Sequence, residues 1–263
     1  MAGQWIEREA LIAVKTYPNP SKKHRETVCV AAITREEGWI RLYPVTFRSL
    51  PGAQQFQKFQ RVQLRMTKHP RDTRPESFRP DQDSIRLLDV IDARKPWERW
   101  NWIEPTLSTS MCEIQRLQGI EGKSLGVFKP EKVIDFVIKD EDAKWSDRKQ
   151  AALDQLTLFD PVAPTLEKIP YIFSYRYACS DEGCKGHTQS VIDWEIMALY
   201  RNVRRTANTP DEIKSLIRQK YLGELCASDR DTHFFVGNLN AHRASFMVLG
   251  VYWPLKRKHD LFD

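Results

Sequence analysis

In the first third of the chain the hydrophobic positions come in short β-branched or aromatic runs separated by proline, glycine and polar stretches, the pattern of strands and turns. The runs cover residues 11–16, 26–33, 38–43, 59–66 and 85–90, and Pro18-Asn19-Pro20-Ser21 is one of the turns between them. Five short strands predict a small barrel. Two of the runs alternate. In the fourth, Val62, Leu64 and Met66 share one face while Arg61, Gln63 and Arg65 share the other, because successive strand side chains point to opposite sides of a sheet. The same parity in the third run sends Ile40 and Leu42 inward and Trp39, Arg41 and Tyr43 outward. The expectation is an open sheet face that carries aromatic rings beside arginines.

Beyond residue 95 the period changes. Pro96, Trp97, Trp100, Trp102 and Pro105 read as a packed connector, followed by a helix over 109–117 with Ser108 near its N-cap. A strand over 132–139, a short helix over 147–156 capped by Ser146, and a proline-bearing loop over 157–170 follow. Residues 171–177 alternate again, with Tyr171, Phe173, Tyr175 and Tyr177 on one face. Four aromatics in strict alternation read as a core face rather than a stacking platform. Two helices are clearly signalled. The first, over 192–205, has Asp193 and Glu195 at its start and Arg201, Arg204 and Arg205 at its end, as the helix dipole favours. The second has Thr209 as N-cap, Pro210 at the first position, Glu212 three residues after the cap, and Gly223 as its stop. Residues 232–236 and 244–253 close the chain as strands, the latter apolar on both faces and so read as central. The fold class is mainly β with α insertions, divided into a β-barrel over 1–95, a connector and helix over 96–120, and an α+β region over 121–263.

Charge sharpens the first module. The chain of 263 residues carries a net +6. Between Arg41 and Arg86 there are ten basic residues against four acidic ones, a difference of 10 − 4 = 6 that equals the excess of the whole chain. A basic block of this kind is the footprint of a phosphate-rich partner, although a solvated surface produces it equally well. Aromatics that stack bases beside arginines that meet phosphates suit single-stranded nucleic acid, with Trp39, Arg41, Tyr43, Arg61, Gln63 and Arg65 as the candidate site; the competing reading is that a second lobe covers Trp39 and Tyr43. No run of 18 apolar residues or signal-peptide order is present, and five scattered cysteines argue against a secreted disulfide framework, which predicts a cytoplasmic protein with no membrane partner.

One cluster could carry metal chemistry. Cys179, Cys184 and His187 form C-x4-C-x2-H, with Gly183 and Gly186 between them. Two thiolates and an imidazole within nine residues can wrap a zinc ion, and glycines let the backbone turn tightly enough to point them inward. The fourth ligand is open, with His233, His242, Cys226 and Asp193 as candidates. Asp193 and Glu195 lie about 200° apart on a helix and do not form a carboxylate pair on one face. Nucleotide-binding glycine loops, H-E-x-x-H and the zinc-deaminase order are absent from the sequence.

The segments Lys15-Thr16-Tyr17-Pro18, Glu26-Thr27-Val28-Cys29-Val30-Ala31, Gly38-Trp39-Ile40-Arg41-Leu42-Tyr43-Pro44-Val45 and Phe47-Arg48 resemble the bacterial dual-OB-domain family. So do Cys184-x2-His187-x5-Asp193-Trp194-Glu195, Phe235-Val236-Gly237-Asn238 and Phe246-x2-Leu249-Gly250-Val251. The resemblance spans most of the chain and implies two OB-like barrels, the second elaborated with helices, a nucleic-acid-binding role, and a setting as sensor or accessory module in prokaryotic defence, with a protein partner encoded nearby. It implies no catalytic residues. Three functions are therefore weighed: binding of single-stranded DNA or RNA, which leads; a metal-dependent hydrolase or nuclease at Cys179, Cys184 and His187; and a protein-binding adaptor. The balance leans away from an enzyme, with zinc in a structural role.

Overall fold

The computed structural model describes residues 4–21, 25–157 and 166–256. Its first half contains β1 (Ile6–Lys15), β2 (Asn19–Ser21), β3 (Arg25–Thr34), β4 (Gly38–Val45), β5 (Gln60–Lys68), β6 (Ser77–Pro80) and β7 (Arg86–Val90). Hydrogen bonds run in the order β1-β3-β4-β6-β5, and β5 returns to β1, closing a five-stranded barrel. β4 and β6 run parallel; the other barrel pairs are antiparallel. Closure rests on β1 having two partners: Ile6 to Leu11 pair with β5, and Ala10 to Lys15 pair with β3. The fifth barrel strand is β6, a short segment ending at Pro80 that sequence reading passed over. Residues 85–90, expected as a barrel strand, lie outside the ring: 86–90 form β7, paired only with the first half of β5.

The parity of β5 is as expected. Val62, Leu64 and Met66 are buried inside the barrel with Ala10, Ile12, Val28, Val30, Ile40 and Leu42, while Arg61, Gln63 and Arg65 point outward. Each of the valine, leucine, isoleucine and methionine side chains contributes roughly 1.5–3 kcal/mol by leaving water.

The tryptophan-rich segment is α1 (Pro96–Ile103), a helix with proline in its first turn rather than an irregular connector. Helix α2 (Met111–Glu121) follows. Its N-cap is Ser110, whose side chain accepts from Glu113 N, rather than Ser108. The second half continues with β8 (Leu125–Phe128), β9 (Lys132–Asp140), α3 (Asp147–Thr157), β10 (Tyr171–Ala178), β11 (His187–Ser190), α4 (Trp194–Val203), α5 (Pro210–Arg218), β12 (His233–Leu239) and β13 (His242–Tyr252). Two three-stranded sheets result, ordered β11-β10-β9 and β13-β12-β8, and a parallel bridge from Val191 to Val248 joins them. The last strand is thus at the end of its own sheet, not central to it. It is apolar on both faces because the barrel packs on one of them. Helix α5 runs past its final regular residue into a wider π turn over 219–224, so Gly223 lies within that turn. Tyr171, Phe173, Tyr175 and Tyr177 do face the core, against Phe136, Phe234, Tyr200 and Tyr221. Most of the loop expected over 157–170 lies outside the described residues.

The two halves share a core. Leu11, Ala13, Ala31, Ile33 and Trp39, on the outside of the barrel, pack against Leu125, Val127, Phe235, Leu249 and Tyr252. The approach is close at Gly250, where a Cβ would lie 2.4 Å from Val14 Cγ1.

Candidate functional site

Cys112, Cys179, Cys184 and His187 bring one ligand atom each to within 4.8 Å of one another. Three of the four are those expected from the sequence. The fourth is Cys112, rather than His233, His242, Cys226 or Asp193. It stands in the first turn of α2, which Ser110 starts, so the helix N-terminus is turned toward the thiols. Cys179 follows β10, Cys184 lies in the loop after it, and His187 opens β11. Gly186, at φ 83°, provides the left-handed turn that returns the chain to His187, and its N–H donates to Cys184 Sγ at 3.4 Å. Cys179 N donates to the same sulfur at 3.5 Å.

The spacing fits a tetrahedral ion. Zn–S bonds of about 2.3 Å and Zn–N bonds of about 2.0 Å imply ligand separations of roughly 3.8 Å between sulfurs and 3.6 Å between sulfur and nitrogen. Cys179 Sγ and Cys112 Sγ are 3.5 Å apart, and each lies 3.5 Å from His187 Nε2. The His187 ring stacks on Tyr177 at 5.1 Å, and Tyr177 donates to Gln189 Oε1, which fixes the imidazole from behind. Burial works against ionising Cys179, but hydrogen bonds from the backbone and from His187 outweigh it and bring the thiol to about 6. Burial and its neighbouring thiols push Cys112 up to about 12. A divalent cation is what would let all three ionise together.

The expected nucleic-acid face divides in two. Trp39 is only 7% exposed and Arg41 only 2%, so neither is the surface group that strand parity implies. The second half covers them: Trp39 packs edge-on against Phe235, and Arg41 donates to Ser124 Oγ at 2.6 Å, to Ser124 O at 2.9 Å and to Asn238 O. Burial lowers the pKa of Arg41. Glu76 accepts from Ser124 N and Oγ, and Arg74 joins Asp72 to Asn238, so a continuous buried network links the halves. Burial opposes ionisation of Asp72, yet its bonds from Arg74 and Ser77 hold it well below the usual carboxylate range. Arg61, Gln63 and Arg65 do reach the surface, but there Arg61 pairs with Glu9 and Asp89, Gln63 donates to Glu7, and Arg65 pairs with Asp81. Arg48, Lys58 and Arg74 from the basic block are likewise paired, with Glu26, Glu195 and Asp72. Many cations of the basic block are thus engaged by carboxylates of the protein itself.

Tyr43 remains 38% exposed, and it opens onto a cleft of about 610 Å³ between the halves. The barrel supplies Thr16, Tyr17 and Pro18 from the turn after β1, Asn19 from β2, Thr27 and Cys29 from β3, Arg41 and Tyr43 from β4, and His69, Arg71, Asp72 and Arg74 from the β5–β6 loop. The second half supplies Ile192, Met197, Met247, Leu249 and the Asn238–Ala241 turn. Sequence reading missed this second wall and the β5–β6 loop. Arg71 is exposed, and its guanidinium has no ion pair among the described residues.

These features define a two-part, mainly β protein with one closed barrel, a Cys3His cluster able to hold a metal, and a cleft between the parts. No helix among the described residues is long and apolar enough to cross a membrane. The chain belongs to the family described as Domain of unknown function (DUF8757), whose model matches residues 107–263, and residues 6–107 match a second model, Domain of unknown function (DUF8758). A search of curated proteins finds no match.

Proposed function

We propose that the protein binds single-stranded nucleic acid in the cleft between its halves, on a scaffold of two OB-type barrels held by a structural zinc ion. The observation that carries this reading is the position of the cleft on the first barrel. Counting only barrel strands, its walls are strands 2 and 3 with the loops between strands 1 and 2 and between strands 4 and 5. Those are the parts of an OB barrel that bind oligonucleotides. Tyr43 offers a stacking surface there, and Arg71 an exposed cation with no ion pair among the described residues.

The second half supports the same scaffold. β8 and β9, taken as one interrupted strand, pair with β12 and β10 respectively, and the Val191–Val248 bridge runs parallel, so the hydrogen-bonded order repeats that of the first barrel with α4 and α5 inserted. Four protein donors complete a tetrahedral zinc shell and leave no position for substrate or an activated water, which argues against a hydrolase at this cluster.

A labelled single-stranded oligonucleotide followed by fluorescence anisotropy tests the reading. Binding that weakens with salt, and that Tyr43→Ala with Arg71→Glu reduces at least about tenfold, is expected. Absence of binding at low salt defeats it; binding indifferent to salt points to a protein ligand instead.

A further inference from the structure

We propose that the cleft accepts a single nucleoside phosphate unit, with its base against the second half and its phosphate on the barrel side, rather than a running length of strand. This rests on the nucleic-acid reading above and narrows it. The first ground is size. About 610 Å³ falls within the range of pockets that enclose one small ligand, whereas strand-tracking OB barrels contact roughly 4–16 nucleotides along an open groove. The cleft is also sealed in depth, because Arg41, Asp72, Arg74 and Asn238 are buried and hydrogen-bonded to one another across the join.

The second ground is the contrast between its walls. Ile192, Met197, Met247 and Leu249 form an apolar patch on the second-half wall, beside the Asn238–Ala241 turn, and methionine side chains adapt readily to a flat ring. The barrel wall is aromatic and cationic. Tyr43 lies 6.4 Å from His69, ring to ring, and the backbone N–H of Arg71 donates to His69 Nδ1 at 3.2 Å. That bond leaves the proton of the neutral imidazole on Nε2, a donor suited to a phosphate oxygen beside the Arg71 guanidinium. A ligand with one planar apolar end and one anionic end matches both walls. It could arrive as a free nucleotide or as one unit of a strand.

Calorimetry with adenosine and uridine monophosphates, paired with their competition against the labelled oligonucleotide, separates these sources. The expected result is one-to-one binding of a monophosphate, at least about tenfold tighter than its nucleoside, with displacement of the oligonucleotide. Ala241→Trp, on the exposed turn at the mouth of the cleft, and Arg71→Ala, at an exposed loop position, each weaken both ligands by a similar factor. Oligonucleotide binding that neither monophosphates nor Ala241→Trp disturb overturns the single-unit site and leaves strand binding intact. Monophosphate binding without oligonucleotide binding upholds the site and defeats the strand reading. Failure of every ligand to bind overturns both. Should Ala241→Trp fail to fold, Arg71→Ala with the competition arm decides alone.

Discussion

The two halves connect their strands in different ways. In the first, the unbroken strand β1 pairs with β5 along its first part and with β3 along its second, and this double pairing closes the ring. In the second half the corresponding pairings are divided: β8 pairs with β12, β9 pairs with β10, and Lys129-Pro130-Glu131 separates them. Proline at that point removes a donor that a continuous ladder would use. It is this interrupted half that carries the Cys3His cluster. Cys112 lies on α2, just ahead of β8, while the other three ligands belong to the β10–β11 connection, so a bound ion would fasten the two sheets where backbone pairing does not.

Metal removal is the strongest way to break this comparison. Chelation, or Cys112→Ser, is expected to destabilise the second half by several kcal/mol, up to about 10, since metal binding at such sites is folding free energy. Elemental analysis should find one zinc per chain in the wild type and none in Cys112→Ser. Hydrogen exchange should show protection lost around β10 and β11 while β5 stays protected. Equal protection throughout, with no metal present, would remove the staple.

The join between halves gives the next effect. Arg41→Met removes the donor shared by Ser124 Oγ, Ser124 O and Asn238 O and is expected to cost about 3 kcal/mol in chemical denaturation, the scale of breaking a buried charged network. Gly250→Ala is expected to cost about 2 kcal/mol, because its Cβ must displace Val14 in a close-packed contact. A near-neutral result at both positions would mean that the halves are not energetically joined here.

The legibility of these features in the sequence follows the same division. β5 could be read residue by residue because it has one wet face and one dry one, and alternation is what a half-buried strand produces. β1 and β3 are dry on both faces. Ala10-Leu11-Ile12-Ala13-Val14 and Val28-Cys29-Val30-Ala31-Ala32-Ile33 are continuous apolar runs, which signal that the outside of the barrel is covered. That signal bears directly on Trp39 and Arg41, which neighbour β3 in the sheet, and it outweighs the local parity that placed them in water. Cys179, Cys184 and His187 were legible because nine residues of chain hold them near one another. Cys112 is 67 residues from Cys179, and only the packing of α2 brings it there. The cleft was partly legible for a similar reason: Tyr43 was a candidate, but Arg71 became one only when the β5–β6 loop met the second half.

Asp193 provides a pH-dependent test at the join. Its backbone bridges to Thr16, its Oδ1 caps α4 by accepting from Glu195 N, and its Oδ2 is buried without a hydrogen bond. Burial raises its carboxyl to about 7, against the pull of Lys58. The folded chain therefore holds a proton that an unfolded one, with an aspartate pKa of about 3.9, releases. This contribution is complete below about pH 4 and is lost as pH rises toward 7. An asparagine side chain keeps the capping oxygen and does not titrate, so Asp193→Asn should gain about 2–3 kcal/mol on the wild type between roughly pH 5 and pH 8. A difference that does not change with pH would place the proton elsewhere.

The smallest effect is expected on the open face of the barrel, where the contrast with Arg41 is sharpest. Arg65 belongs to the same barrel, but its side chain is 59% exposed and its partner is the surface carboxylate of Asp81. Exposed pairs of this kind contribute about 0–1 kcal/mol, so Arg65→Ala should change stability by less than about 0.5 kcal/mol. It should also leave oligonucleotide affinity nearly unchanged at moderate salt, whereas Tyr43→Ala reduces it. Paired measurements on the two variants decide which face the ligand uses. A large loss from Arg65→Ala and none from Tyr43→Ala would return the binding surface from the cleft to the wet side of β5, where strand alternation alone had placed it.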